Sequence, residues 1–186
     1  MAITQRAMTL EEFLELPEQK PALEYDDGVV TQKVSPQGQH SRLQFVIAQL
    51  INRIAESAKL AMAFPELRTT FGGASRVPDV SVYRWERIPL TPDGKVANRF
   101  TEPPDIAIEI VSPEQSVNAL IRRCLRFIDQ GVQIVLLIDP DDESVIRFGP
   151  NGSARALHGS DPIDLSEVLP GFEFTAHELF ESLRLR

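Results

Sequence analysis

Asp105-Ile106-Ala107-Ile108-Glu109-Ile110-Val111, the run DIAIEIV, decides how this chain folds. Its alternation places Ile106, Ile108 and Ile110 on one face and Ala107, Glu109 and Val111 on the other. Such a run reads as a central strand covered on both faces. Glu109 is then an acid inside an otherwise apolar strand. An unpaired buried carboxylate is costly, so its presence calls for a cation, a hydrogen-bonding partner or a strand end open to water. Taken alone, a salt-bridged or edge acid would account for it.

A second strand supplies a second acid. In VPDVSVY (Val77 to Tyr83), Val80 and Val82 point one way and Asp79, Ser81 and Tyr83 the other. Two strand carboxylates on neighbouring strands can converge and hold one Mg²⁺ or Mn²⁺, hard cations that take oxygen ligands. Downstream of DIAIEIV, a helix is expected from Ser116 to Gln130, closed by Gly131, followed by the buried strand VQIVLLID. Strand, helix, strand is a right-handed crossover.

Upstream, Thr9 and Glu12 form a capping box for a short first helix, and Asp27-Gly28 marks a hairpin between two short extended runs. Apolar residues at helical spacing predict a long helix from Ser41 to about Met62, opened by a turn at Ser35-Pro36 and Gly38. Pro65 ends it. LRTTF and VPDVSVY then read as a second hairpin around Gly72-Gly73, and the proline-rich stretch from Trp85 to Pro104 as a long surface loop. Two short strands, SVIRFG and SARALH, and a last helix near Ala176 to Leu183 complete the chain. The expected architecture is α/β: a mixed sheet flanked by helices, with VPDVSVY, DIAIEIV and VQIVLLID adjacent at its centre.

Composition sets bounds on function. The 186 residues suit one domain, 1–186, and 42% hydrophobic with 25% charged residues is ordinary globular composition. No apolar run approaches the roughly 20 residues that span a bilayer. The N-terminus lacks the basic start and apolar middle of a secretory leader, which points to a cytoplasmic protein with no membrane partner. Cys124 stands alone, without disulfide or zinc partners, and reads as a small buried hydrophobe. A formal net charge of −8 argues against tight, sequence-independent DNA binding by the whole surface. It says less about a confined active site, because a metal-dependent hydrolase needs acidic ligands and recruits its own cation.

Pro78-Asp79 followed by IEIVSP with Glu109 resembles the Uma family of restriction-endonuclease-like proteins, within the PD-(D/E)XK nuclease superfamily. The resemblance covers nearly the whole chain: MTLEEFLEL, LEYDDG with Glu24, SPQGQH with His40, RVPDVSVY, EPPDIAIEIVSPEQS, FIDQGV, VLLIDP and LPGF at Leu169 to Phe172 follow in order. It implies a restriction-endonuclease-like fold in which Asp79 and Glu109 are the metal carboxylates, binding Mg²⁺ or Mn²⁺. Glu24 would be a third ligand or outer acid, and His40 would approach the same site. The superfamily's lysine usually follows the second acid by two residues, where this chain has Val111. In the Uma family the lysine resembles one moved to the following helix, where this chain has Arg123, with Phe127 one turn on where tyrosine is common.

On a helical wheel Val117, Leu120, Ile121, Cys124 and Ile128 form the core stripe, with Arg123 at its margin beside Leu120 and Phe127, while Arg122 and Arg126 point away. A guanidinium there can pair bidentately with a carboxylate or phosphate, yet it stays protonated and cannot act as a general base. His158 and His177 carry no motif, and Asp139, Asp141 and Asp142 read as turn residues around Pro140. Two functions of different class follow. The first is a Mg²⁺-dependent endonuclease acting on DNA as a homodimer, with Asp79, Glu109, Arg123 and Glu24 as catalytic residues. The second is a weakened descendant that serves as a binding or interaction module. A substrate other than DNA is the remaining alternative.

Overall fold

A computed structural model describes residues 8–113 and 115–186. The N-terminal leader reading rests in part on residues 1–7, and the run IEIVSPEQS contains Glu114; both lie outside the described residues. Helix α1 (Leu10–Leu14) starts at Thr9 with both bonds of the expected capping box. Strands β1 (Leu23–Asp26) and β2 (Val29–Gln32) form the hairpin about Asp27-Gly28, whose φ angles of 48° and 79° are those a tight primed turn demands. Then come α2 (Gly38–Ala55), β3 (Ala61–Pro65), β4 (Thr69–Phe71), β5 (Ala74–Arg76) and β6 (Val80–Arg84). After the long loop, β7 (Ile106–Ile110), α3 (Val117–Asp129), β8 (Ile134–Asp139), β9 (Ser144–Phe148), β10 (Ala154–His158) and α4 (Ala176–Glu181) follow.

The strands make two sheets, a smaller one in the order β2-β1-β5-β4 and a larger one in the order β10-β9-β8-β7-β6-β3. In the larger sheet only β7 and β8 run parallel, joined through α3. The expected neighbours β6, β7 and β8 are adjacent at its centre. One face of β7, with Ile106, Ile108 and Ile110, packs with Leu43, Ile47 and Ile51 of α2. The other, with Ala107 and Val111, packs with Leu120, Cys124 and Phe127 of α3. The alternation read from DIAIEIV is therefore the division between two cores, and Cys124 is buried as a small hydrophobe.

Four local expectations are corrected. Helix α2 begins at Gly38 and ends at Ala55, and Ala61 and Met62 belong to an unforeseen edge strand, β3, paired with β6. The left-handed Lys59, at φ 51°, turns the chain out of the helix, and Leu60 N–H closes it on Ala55 O. The Gly72-Gly73 turn joins β4 to β5, not LRTTF to VPDVSVY, and β6 lies in the other sheet. On α3, Val117, expected in the core stripe, is exposed, and Phe127, expected beside Arg123 at its margin, is fully buried. The buried face of α3 runs through Leu120, Cys124 and Phe127, which pack with Phe71 and with Ala107 and Val111 of β7.

Asp105, just before β7, is a buried acid that the sheet does satisfy. It receives Arg84 N–H at 2.8 Å and the guanidinium of Arg84 at 2.6 Å, and pairs with Arg87 at 2.7 Å. Replacing one partner of such a buried network leaves the others uncompensated. Asp105→Ala should lower stability by about 3 kcal/mol, seen as a lower guanidinium midpoint with an unchanged denaturant slope; a loss under about 0.5 kcal/mol, as for an ordinary surface change, would show that the network is not structural.

Candidate active site

The backbone brings Asp79 and Glu109 together. Strands β6 and β7 are antiparallel with Val80 opposite Ile108. Continued by one residue, that register sets Asp79 opposite Glu109, where side chains of facing residues share a side of the sheet. Pro78 cannot donate to the ladder, and β6 starts at Val80. Beyond that start the Asp79 side chain stands in for a strand: its Oδ2 accepts Ile110 N–H at 2.7 Å. The Asp79 carbonyl is held as well, by Gln44 Nε2 at 2.8 Å and Glu66 N–H at 3.1 Å.

The smaller sheet delivers the third acid. Glu24 on β1 accepts Val77 N–H at 2.6 Å on Oε1. Arg123 on α3 reaches across, donating to Glu24 Oε2 at 2.8 Å and Oε1 at 2.7 Å and, through Nε, to Glu109 Oε1 at 2.7 Å. Phe127, one turn on, offers its ring 5.3 Å below the same guanidinium. Arg123 is thus no solvated margin residue: it joins two carboxylates that come from different sheets.

His40, in the first turn of α2, places Nε2 3.1 Å from Asp79 Oδ2. Since a carboxylate oxygen only accepts, Nε2 is the donor. Sequence reasoning missed the residue on the other side of Asp79. Lys33, one position past β2, gives its ammonium to Asp79 Oδ1 at 2.7 Å, Val77 O at 2.8 Å and Glu66 Oε1 at 3.1 Å. All three donors are used. Nothing in VVTQK distinguishes this lysine from a solvated one; only the meeting of β2 with the start of β6 does.

The charges are unevenly compensated. For Asp79, burial opposes ionisation, but the His40 hydrogen bond and the Lys33 charge outweigh it and hold the carboxyl down at about 2. Glu109 is also penalised by burial, and Arg123 offsets only part of this while Asp79 adds repulsion, so its carboxyl is pushed up to about 7. Lys33 resists the desolvation of its own charge because Asp79, Glu109 and Glu66 surround it, and is held well above the usual lysine range. Arg123, likewise buried between Glu109 and Glu24, stays charged. Among the described residues, no three His, Cys, Asp or Glu side chains form a metal-ligand group. What converges is a carboxylate pair flanked by two fixed cations. A cleft of about 250 Å³ opens beside it at His40. A larger one, about 350 Å³, lies near Phe13 and Arg68, and neither cleft is lined by the three acids themselves. His158 and His177 lie outside the site's contacts.

The profile of the Uma2 family, described as "putative restriction endonuclease", matches residues 10–177. A solved structure, the crystal structure of "a putative nuclease belonging to DUF820" from Anabaena variabilis, superposes with a TM-score of 0.91 at 39% identity, covering 95% of this chain and 99% of that one. No curated protein matches.

The elevated Glu109 carboxyl sets a pH dependence. Its folded value of about 7 lies above the ordinary 4.5, so the folded chain keeps a proton that the unfolded chain releases, and stability falls as pH rises from about 4.5 to about 7. Glu109→Gln removes that loss while its carbonyl can still accept from Arg123. In chelator the variant should melt higher than wild type at pH 8, by on the order of 2 kcal/mol or about 5 °C, with the gap closing by pH 5. Calorimetric melts showing a lower-melting variant at pH 8 would make Glu109 a net stabilising partner of Arg123 instead.

Proposed function

Because the chain belongs to the Uma2 family, we propose that it is a divalent-metal-dependent endonuclease that hydrolyses DNA phosphodiester bonds, with Asp79 and Glu109 as the metal's carboxylates. The observation that carries this reading is the facing pair itself, one carboxyl at about 2 and the other at about 7. Burial and the neighbouring Asp79 penalise the ionised form of Glu109 by more than Arg123 and Lys33 offset, a penalty that a bound cation would relieve. The donor set suits Mg²⁺ or Mn²⁺: it is all oxygen, and each carboxylate retains lone pairs beyond the bonds it already accepts. A bound divalent ion there supplies charge that polarises water and the phosphoryl oxygens.

The chain's own residues divide the remaining work. Lys33, fixed by three acceptors and permanently charged, is suited to offset charge building on phosphoryl oxygens and unsuited to take a proton. Arg123 orients Glu109 and, through Glu24, ties it to the smaller sheet; being an arginine it cannot act as a base. Lys33 therefore fills the role for which the family's lysine would be sought on α3. Glu24, with both oxygens bonded to Arg123, acts as an outer acid. Two copies acting together would cut both strands of a duplex, one site per strand. No helix among the described residues is long and apolar enough to cross a membrane.

The interaction-module reading has one observation in its favour: Arg123 replaces a residue that could change its charge and is locked between two acids. Nicking of supercoiled plasmid separates the two. Wild type with Mn²⁺ or Mg²⁺ should convert supercoiled to open-circle DNA, chelator and Asp79→Asn should abolish it, and Lys33→Met should slow it by about 10²–10³-fold while metal binding by calorimetry persists. Equal, metal-independent background in all three proteins would leave the interaction module as the better account.

A further inference from the structure

We propose that the N-terminus of α2, together with His40, is a docking site for a phosphate group, and that the phosphate is one in a nucleic-acid strand held beside the carboxylate pair. The strand assignment rests on the nuclease reading above; the phosphate site itself does not.

Helix α2 runs for 18 residues from an N-cap, Gln37, that makes no side-chain bond to it, and its first turn contains no acid. The N–H groups of Gly38, Gln39 and His40 have no carbonyl of their own helix to meet, and they point along the positive end of its dipole. They border the cleft of about 250 Å³, whose other walls are Val111 and Pro113 after β7 and Asp141 after β8. A water occupies about 30 Å³ of liquid, so the space holds a phosphate group with its waters.

His40 gives the second, independent sign of a ligand. It lines this cleft and is 6% exposed, and its Nδ1 is buried without a hydrogen-bond partner among the described residues. Its Nε2 is committed to Asp79. Nδ1 is the atom left for a ligand, accepting from a water that in turn donates to a phosphate oxygen while Nε2 donates to Asp79. A buried polar atom of this kind calls for a partner.

The placement supplies the class of ligand. Backbone amides at a helix N-terminus bind tetrahedral oxyanions without needing a cationic side chain. Val111 lies two residues past Glu109, so an anion here is a neighbour of whatever phosphate meets the carboxylate pair. Asp141, an exposed acid on the far wall, weakens the affinity for free phosphate by like-charge repulsion.

The experiment is an amide-resolved NMR titration in chelator, first with millimolar inorganic phosphate and then with a short oligothymidylate. Phosphate should shift the Gly38, Gln39 and His40 amides saturably, and the oligonucleotide should move the same amides along the same path at lower concentration. Gly38→Glu places an acid in the first helical turn, where the dipole welcomes it and a Cβ meets no atom within 4 Å. This variant should keep or raise the melting temperature yet weaken phosphate binding at least tenfold. If it fails to fold, Gly38→Pro, tolerated at the first helical position, removes one donor and should weaken binding several-fold. No amide shift, or equal binding by the folded variant, overturns the site; shifts with inorganic phosphate alone overturn the strand assignment. Glu109→Gln should retain phosphate binding while losing plasmid nicking, so this site and the nuclease reading fail separately.

Discussion

The Arg123 guanidinium, bonded to Glu24 on one sheet and Glu109 on the other, is the contact on which the geometry of the site depends. Without it the smaller sheet would present Glu24 to Glu109 as one buried acid to another. A planar fork suits this, because it pairs bidentately with Glu24 along one edge while Nε meets Glu109, whereas a lysine offers its donors from a single atom. The ring of Phe127 beneath it explains why an aromatic without a hydroxyl is adequate there: its face, not a polar tip, meets the cation.

Around that clamp, Asp79 and Glu109 receive opposite treatment from nearly the same burial. Asp79 has a hydrogen bond from His40, an ammonium from Lys33 and the amide of Ile110. Glu109 has Arg123, which it shares with Glu24. The result is one carboxyl ionised throughout the physiological range and a neighbour poised within it. Two groups whose environments push them apart in this way are characteristic of sites that bind or transform something. Asp105, as buried as Asp79, is placed differently: it faces two arginines and holds the entry to β7 in place.

The scaffold explains why the site lies where it does. Strand β6 stops at Val80, one residue short of Asp79, because Pro78 and Asp79 break the ladder, and the Asp79 side chain takes over the pairing of Ile110. The start of α2 comes to the same sheet end and brings His40 and Gln44 to Asp79. Strand ends and helix starts are where backbone groups lack partners within their own element, so they are where side chains and ligands can be held.

Much of this was determined by the sequence itself. The alternation of DIAIEIV separated Glu109 from the isoleucine face, the Pro78-Asp79 pair marked a strand start, and the order of motifs along the chain identified the family. Each signal is local, and local periodicity survives in any fold that uses it. The boundary of α2 and the strand β3 were not legible, because Ala61 and Met62 continue an apolar pattern and only the left-handed Lys59 interrupts it. Val117 lies outside the core and Phe127 inside it because the face a helix buries is set by what packs against it, here Phe71 and β7, which a helical wheel does not contain. Lys33 and the Arg123 clamp were decided by tertiary structure alone: Lys33 lies 46 residues from Asp79, and Arg123 lies 99 from Glu24. What joins them is the packing of two sheets and a helix, and no spacing within one segment carries that information.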